Sequence, residues 1–247
     1  MNIQLTETAS TNRYLTQLCD EKGDAVAELT TVTAVSQTAG RGQRGAGWES
    51  EPGKNLTFSF VLYPAFLEVR RQFLLSQLVA LSVKEELDAY TDGISVKWPN
   101  DIYWQEKKIC GILIEHHLCG SVIGRSIVGI GLNINQEHFR SDAPNPVSLR
   151  QITGRTYDCS LLLTGIMNRV EACYNALRAD TSGGQASCVA QHSAEALFRR
   201  DGYHRYADAG GVFTARLLRV DADGRFVLET EAGETRSYLF KEVQYLI

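Results

Sequence analysis

The chain has 247 residues, of which 44% are hydrophobic, and it carries a formal net charge of −4 with an isoelectric point near 5.8. This length and composition exclude a disordered chain and allow one large domain, or a large domain with a small one. The acidic balance gives no bulk basicity, so a nucleic-acid partner would need a local basic patch, and the sequence has none that we can identify.

Several sequence features bear on the compartment and on metals. Residues 1–11 are polar and lack the basic start and apolar core of a signal peptide, and no apolar run is long enough to span a membrane. Six cysteines at irregular spacings, with no CxxC pair, favour reduced thiols over a disulfide or zinc framework. The adjacent His116 and His117 face opposite ways on a strand and predict no metal site. We therefore expect a cytoplasmic protein without membrane contact.

The N-terminal part predicts a helix and two strands. Leu15 and Leu18 form a short amphipathic run, which indicates a helix capped at Ser10 and ended by Gly23. Residues 30–36 and 55–63 are rich in strand-forming side chains. The segment between these two strands therefore lies at the end of a sheet, where ligand sites commonly form.

That segment contains a glycine-rich loop, which reads GRGQRGAGW from Gly40 to Trp48. Glycines at every second or third position let backbone N–H groups approach an anion closely. Arg41 and Arg44 add forked donors suited to a phosphate or carboxylate, and Trp48 is an apolar anchor. The loop by itself fits an anion-binding loop and a flexible surface loop with solvated arginines equally well.

The middle of the chain predicts a scaffold helix and four strands. Residues 68–90 carry the strongest apolar stripe. Strands are predicted over 94–98, 102–105, 108–117 and 120–135, with a turn at residues 99–101. Glycines in the last strand indicate close approach to a ligand or to another strand, but their spacing does not fit a dinucleotide-binding fold.

Three polar side chains on these strands have two interpretations each. Alternation separates Lys97 from the apolar face that contains Trp98, so Lys97 could simply be solvated. On a regular strand Lys108 shares an apolar face with Cys110, so its ammonium either meets a negative partner, such as an anionic ligand, or belongs to the turn and points to water. Asn133 either offers a donor and an acceptor to a base edge or satisfies its own turn.

The C-terminal part predicts helices followed by short strands. Residues 160–179 and 186–200 indicate two helices separated by a glycine pair. From Gly202 onward, short strands with tight turns predict a small β-barrel or sandwich. This segment is too short for us to expect that it folds by itself, so we expect it to pack on the main domain. We therefore divide the chain into a main domain of residues 1–201 and a small β-barrel domain of residues 202–247.

Five motifs, in this order along the chain, resemble those of the biotin protein ligases. They are ETASTN from Glu7, GRGQRGAGW from Gly40, KWPND from Lys97, KxxGILIE from Lys108 and GIGLNIN from Gly129. Any one motif would be weak evidence, but five motifs agree, and the set extends to about residue 149. The resemblance implies an α+β fold: a mixed β-sheet catalytic domain with flanking helices, the class II synthetase-like biotin–lipoate ligase fold, plus a small C-terminal Src-homology-type β-barrel.

The resemblance also implies a two-step, AMP-forming reaction with biotin and ATP as substrates and Mg²⁺ as cofactor. The biotin carboxylate attacks the α-phosphate of ATP, which gives biotinyl-5′-AMP and pyrophosphate. A lysine of a biotin carboxyl carrier protein then attacks this mixed anhydride and releases AMP. Arginine, lysine and Mg²⁺ suit the developing phosphate charge, and no side-chain nucleophile is needed because the adenylate is already reactive.

Residue roles follow from the same resemblance, each at the position that matches a motif. Lys108 would reach both the biotin carboxylate and the α-phosphate, which favours a functional role for it, and Asn133 would contact the adenine edge. The implied catalytic residues are Lys108, Arg41 and Lys97. The implied biotin-binding residues are Ser10, Thr11, Asn12, Gln37, Arg41, Gly42, Gln43, Lys108 and Gly111. The implied ATP- or adenylate-binding residues are Arg44, Trp48, Asn100, Asp101 and Asn133, and no metal ligand is assigned.

Two departures from the family pattern affect these expectations. Gln43 stands where most members have arginine, so one positive charge over the adenylate is missing, and Ala46 replaces a position that is often charged. The chain also begins with the catalytic domain, without the DNA-binding helix-turn-helix of repressor members. We therefore expect the monofunctional type, with no DNA partner.

Two other functions stay open at this point: a lipoate- or octanoate-type carrier-protein ligase, and a non-catalytic biotin or adenylate sensor. The sequence does not identify the carrier protein. Exposed edge strands could pair two copies into a homodimer or could be covered.

Overall fold

A seven-stranded sheet forms the larger part of the protein in the computed structural model, which describes residues 1–140 and 145–247. Its strands are β1 (Asn2–Thr8), β2 (Thr31–Gln37), β3 (Leu56–Leu62), β4 (Ile94–Lys97), β5 (Asp101–Trp104), β6 (Lys107–Cys119) and β7 (Val122–Leu132). They lie in the order β1-β2-β3-β7-β6-β5-β4. β1 and β2 are parallel, and the other neighbours pair antiparallel, so the predicted mixed sheet is confirmed.

Helices cover both faces of this sheet. They are α1 (Thr11–Lys22), α2 (Phe73–Leu87), α3 (Leu149–Thr153), α4 (Cys159–Ala179) and α5 (Gly184–Glu195). Leu15 of α1 packs with Val61 on one face of β3, whereas Phe58 and Phe60 on the other face join the main core with α2 and α4. Among the described residues, no helix combines the length and the apolar character that a membrane span requires.

The sheet and helices differ from the sequence predictions in five places. β1 and α3 were not predicted, because α3 has only 5 residues and β1 has only alternating partial burial at the sheet edge. The helix predicted over 68–90 is a 3₁₀ turn at Val69–Arg71 followed by the shorter α2. The helix predicted over 186–200 ends at Glu195, and β7 ends before Asn133.

The predicted cap of α1 is wrong in its chemistry, although the helix itself is confirmed. Ser10 occupies the N-cap position with an extended backbone, but its side chain makes no capping hydrogen bond. The Oε1 atom of Gln37 instead accepts from the Thr11 N–H at 2.8 Å. A distant side chain thus satisfies one of the free amides at the helix start.

A second, antiparallel sheet follows in the chain. It comprises β8 (His204–Asp208), β9 (Gly211–Val220), β10 (Phe226–Thr230), β11 (Thr235–Tyr238) and β12 (Gln244–Tyr245), in the order β11-β10-β9-β8-β12. This sheet agrees with the small C-terminal barrel that was predicted. The division of the chain at residues 201 and 202 stays a prediction, which the start of β8 at His204 supports.

Trp98 connects the two sheets. It directly follows β4, is almost fully buried, and stacks on Phe226 of β10 with ring centroids 4.9 Å apart. Its Nε1 atom donates to the Gly224 carbonyl at 2.9 Å. The outer edge of β4 is also covered, because the Val96 N–H donates to the Ala196 carbonyl and the Phe198 N–H donates to the Val96 carbonyl. The turn that follows Trp98 is therefore held against the second sheet.

Replacing Trp98 with alanine should loosen this connection. We expect Trp98→Ala to lower the free energy of unfolding by about 3–5 kcal/mol, because a large buried ring and its hydrogen bond are lost. Trp104→Ala is the matched control, because this half-buried indole also donates to a carbonyl, that of Asp92, and should cost clearly less. Urea unfolding measures both. Equal losses in the two variants would contradict the connecting role of Trp98.

Candidate active site

A cleft opens where α1 begins, on the face of the sheet that the glycine-rich loop overhangs. Its first lobe has an empty volume of about 810 Å³, open solvent included. All nine residues predicted for biotin line this lobe. A second lobe adjoins it and contains Lys97 and Asn133, and Gln37, Trp48, Asp101 and Lys108 line both lobes. The structure thus brings together all the predicted site residues whose side chains it describes; the side chain of Arg44 lies outside them.

The first lobe contains a cluster of uncharged polar side chains. Ser59 Oγ lies 2.7 Å from Thr11 Oγ1 and 2.6 Å from Asn12 Oδ1. A Cβ atom on Gly129 would lie 2.1 Å from Asn12 Oδ1, so only glycine lets Asn12 rest on the sheet. The Nδ2 atom of Asn12 donates to Glu115 Oε2 at 2.8 Å. These bonds fix the orientation of the hydroxyls and the amide at the floor of the lobe.

The glycine-rich loop is an ordered hairpin over the cleft. The Trp48 N–H donates to the Gly40 carbonyl at 3.0 Å, and the Gly42 N–H donates to the Ala46 carbonyl at 2.6 Å. The guanidinium of Arg41 forms a 2.9 Å ion pair with Glu115 on β6. Both side chains of this pair stay partly exposed, so the interpretations as an anion-binding loop and as a surface loop with solvated arginines both remain open for Arg41.

The Trp48 indole lies flat against the glycines of β6 and β7. A Cβ atom on Gly131 would approach the indole to 2.3 Å, and one on Gly111 would approach it to 3.0 Å. The Nε1 atom of Trp48 is buried and has no hydrogen-bond partner among the described residues. Because Trp48 lines both lobes, it forms part of the boundary between them.

Lys108 occupies the junction of the lobes, on a different face of β6 from the one predicted. The pairing of β5 with β6 shifts there: Ile102 pairs with Cys110, whereas Tyr103 pairs with Lys108. The bulge leaves Ile109 without a partner across the strand and moves Lys108 to the face of Gly111, where its Cε lies 3.4 Å from the position of a Cβ on that glycine.

The negative partner expected for Lys108 is present in the protein itself. Its Nζ atom lies 2.7 Å from Asp101 Oδ1, and both side chains are about a quarter exposed. The Trp48 ring lies 5.8 Å from the same Nζ atom. Asn100 lies in the turn before β5, and its side-chain amide donates a hydrogen bond to the Ile112 carbonyl of β6. The turn therefore presents Asp101 directly to Lys108.

Lys97 is half-buried, so the interpretation as a solvated lysine is wrong. Its Nζ atom donates to Tyr103 Oη at 3.0 Å and lies over the rings of Tyr103 and Tyr245, at 4.6 and 5.0 Å from their centroids. Burial lowers the pKa of Lys97 from 10.5 to about 8, although the nearby Asp101 carboxylate raises it. A large uncharged fraction is therefore present at mildly alkaline pH.

Asn133 makes hydrogen bonds to nearby backbone carbonyls, but one atom of its side chain has no partner among the described residues. Its Nδ2 atom donates to the Val147 carbonyl at 3.2 Å, and its backbone N–H donates to the Ile109 carbonyl at 2.9 Å. The Oδ1 atom is buried and has no hydrogen-bond partner among the described residues. Both interpretations of this residue therefore retain support.

Four cleft residues were missed by the sequence analysis. Glu115 lies within a quoted motif, and its position four residues after Gly111 on the same strand face was the signal that could have found it. Ser59 gave no signal beyond polarity within an apolar strand. Phe240 and Lys241 line the first lobe from the second sheet's side, and no motif there indicates it. Among residues 1–140 and 145–247, no three His, Cys, Asp or Glu side chains are grouped for a metal ion.

A model of the biotin/lipoate A/B protein ligase family matches residues 6–133. The chain belongs to this family. The bifunctional ligase/repressor BirA of Bacillus spizizenii is 30% identical over 219 residues, which cover 85% of this chain and 65% of that protein. The biotin–[acetyl-CoA-carboxylase] ligase of Paracoccus denitrificans is 31% identical over 137 residues, which cover 51% of this chain and 55% of that protein. The chain thus spans less than two thirds of the length of each.

A solved structure of another family member agrees with the whole fold. The biotin protein ligase from Aquifex aeolicus in complex with biotin and ATP superposes with a TM-score of 0.79 at 27% sequence identity, and 99% of each chain is covered. The match includes the second sheet, so the family likeness extends beyond residue 133. The resemblance to biotin protein ligases and the predicted fold class are confirmed.

The lowered pKa of Lys97 gives a test of how this side chain is buried in the protein. We expect the dimethylated Lys97 signal, assigned by its loss in Lys97→Arg, to titrate near pH 8 in a ¹³C NMR experiment. Asp101→Asn should lower the midpoint further, because the Asp101 carboxylate favours the charged ammonium. A midpoint near the ordinary 10.5 would contradict the burial described here.

The same shift predicts how stability depends on pH. A folded-state pKa below the unfolded value means that the charged form is disfavoured in the fold, so Lys97 costs stability fully below about pH 8. Relative to Lys97→Met, the stability of the native protein should rise between about pH 8 and 10.5. Thermal unfolding of the two proteins across this range measures the difference.

Proposed function

We propose that the protein is a biotin protein ligase, which activates biotin with ATP to biotinyl-5′-AMP and transfers biotin to a lysine of a biotin carboxyl carrier protein. The observation that carries this proposal is the Lys108–Asp101 pair, which lines both lobes, between the uncharged polar residues Ser10, Thr11 and Asn12 of the first lobe and Lys97 of the second. The names of the relatives, which include biotin ligases, support the same conclusion.

The first lobe suits biotin in both polarity and shape. The ureido ring of biotin is neutral and presents one carbonyl and two N–H groups, which match the hydroxyls of Ser10 and Thr11 and the amide of Asn12 that line the lobe. Gly111 and Gly129 have no side chains of their own, which makes room on the sheet for Trp48 and Asn12, and these two side chains line the lobe for a slender bicyclic ligand. Charged residues would be penalised at this floor, because a neutral ligand gives them no partner.

The second lobe suits the phosphates and the base of ATP. Lys97 and Lys108 place two ammonium groups beside Asp101, and Glu49 is a second carboxylate of the lining, so the lobe offers anions local donors at the two lysines rather than a net positive charge. Lys108 would reach the biotin carboxylate and the α-phosphate by leaving Asp101 or by sharing it. The free Oδ1 atom of Asn133 is available to an amino group on the adenine edge.

Mg²⁺ would enter this lobe with ATP, because phosphate oxygens and water supply most ligands of this ion. Asp101 is the carboxylate of the lobe that fits such a complex, while the lysines stabilise the charge on the leaving pyrophosphate. The acceptor lysine then attacks the acyl carbon, and AMP leaves. The cytoplasmic location, the monofunctional type, the lack of a DNA partner and homodimer formation stay predictions from the sequence.

Replacing Lys108 tests the proposed ligase. We expect Lys108→Ala to lower labelling of a purified carrier domain by biotin, ATP and Mg²⁺ about 100- to 1,000-fold, since a charge-stabilising donor is lost. Lys107→Ala is the matched control, because its side chain is exposed beside Lys108 and should label normally. Tight biotin binding without labelling by the wild type would favour a sensor, and labelling with lipoate instead would favour the other ligase.

Restoring the missing arginine tests the departure at position 43. Gln43 lines the first lobe, so Gln43→Arg adds a positive charge beside the adenylate. We expect stopped-flow release of biotinyl-5′-AMP to slow by about five-fold or more, as an added interaction of roughly 1 kcal/mol would produce. Gln191→Arg adds the same charge on the exposed side of α5 and should leave release unchanged. Equal release from Gln43→Arg and the wild type would refute the idea.

A further inference from the structure

The rings of Tyr103 and Tyr245 flank the ammonium of Lys97 and form what we call its aromatic box. The two rings come from different sheets. Tyr103 belongs to β5, and its Oη atom accepts a hydrogen bond from Lys97 Nζ at 3.0 Å. Tyr245 belongs to β12 of the second sheet, and its ring centroid lies 5.0 Å from the same Nζ atom. Each ring attracts the ammonium, but each also covers it from water, and burial is the larger influence on the titration of Lys97.

Tyr245 does not line either lobe, and its hydroxyl serves no visible structural purpose. The Oη atom is buried without a hydrogen-bond partner among the described residues. The ring is instead held firmly: it packs on Phe198, Tyr206 and Phe226, and β12 pairs with β8 at this residue. The Arg199 guanidinium also donates to the carbonyl of the next residue, Leu246, at 3.1 Å. The contact with Lys97 therefore rests on the ring alone.

The charged groups around Lys97 do not explain where it is held. Asp101 attracts the ammonium, whereas Lys108 and Arg199 repel it, and the neutral Tyr103 accepts a hydrogen bond from it. The carboxylate of Asp101 is already engaged by Lys108 at 2.7 Å. Burial is the largest influence on the titration of Lys97, and the Tyr245 ring is part of the wall that produces it.

We propose that Tyr245 is a positioning residue for ATP: its ring keeps water from the ammonium of Lys97 and directs it into the second lobe. The last strand of the second sheet thereby takes part in the first half-reaction without touching a substrate. This inference rests on the proposed function only for its kinetic consequence. The placement of Lys97 is a property of the unliganded protein and can be measured separately.

The first experiment measures Lys97 without any substrate. In the full chain with ¹³C-dimethylated lysines, we expect the Lys97 midpoint to stay near pH 8 in Tyr245→Phe and to rise toward 10.5 in Tyr245→Ala, where water enters. Tyr245→Val serves if the alanine variant does not fold. Phe213→Leu is the matched control, because it removes a ring of the same sheet that packs on Tyr206 and Tyr238 and does not touch Lys97.

The second experiment measures ATP use by biotin-dependent ATP–pyrophosphate exchange. We expect Tyr245→Ala to raise KM for ATP about five-fold or more with little change in kcat. The alkaline limb of the kcat/KM profile should also move to higher pH. Tyr245→Phe should restore the wild-type values, and Phe213→Leu should keep them while losing stability.

The outcomes separate this inference from the proposed function. An unchanged Lys97 midpoint in Tyr245→Ala would overturn the positioning role, whatever the kinetics. A shifted midpoint, in a protein whose wild type shows no pyrophosphate exchange, would leave the role in placing Lys97 intact and remove the ligase proposal. Equal effects of Tyr245→Ala and Phe213→Leu on KM would reduce Tyr245 to a structural residue and overturn its role toward ATP.

Discussion

The bare glycine face of β6 and β7 is the constraint on which the cleft depends. Asn12 rests against Gly129 and the Trp48 indole rests against Gly131, at distances that leave no room for a Cβ atom on either glycine. The first contact sets the polar floor, and the second sets the boundary between the lobes. Because the two glycines are neighbours on one strand face, a single stretch of backbone positions both the helix start and the far end of the glycine-rich loop.

A second level of organisation links the cleft to the C-terminal sheet. Trp98, Tyr245 and Phe240 all lie at the boundary between the two sheets, the first buried in the smaller sheet's core and the last in the wall of the first lobe. The turn between Trp98 and Asp101 is fixed from one side by this packing and from the other by the Asn100 bond to β6. Rigid support of this kind is what a site for charged groups needs, because a misplaced ammonium in a half-buried lobe is costly.

Local periodicity was enough to predict the main helices and most of the strands, whereas the mixed sheet and the residues that line the cleft were implied by the motifs shared with the biotin protein ligases. The sequence could not predict which face of β6 carries Lys108. A bulge at Ile109 breaks the alternation of faces there, and the bulge depends on how β6 pairs with β5. The burial of Lys97 was missed for a similar reason: its aromatic box closes only when a strand almost 150 residues later packs against it. The same holds for Gln37, which takes over the capping bond that Ser10 was expected to make.

The covered edge of β4 has a consequence for how the large sheet can grow. Strand β4 is one end of the sheet order, and the outward N–H and C=O groups of its residue Val96 already pair with residues 196 and 198. The other end is β1, whose outer side has no neighbouring strand in the described sheet order. Any foreign polypeptide that extends this sheet by backbone pairing therefore has to add beside Asn2–Thr8, and the alternating exposed side chains of that strand determine which chains are tolerated there.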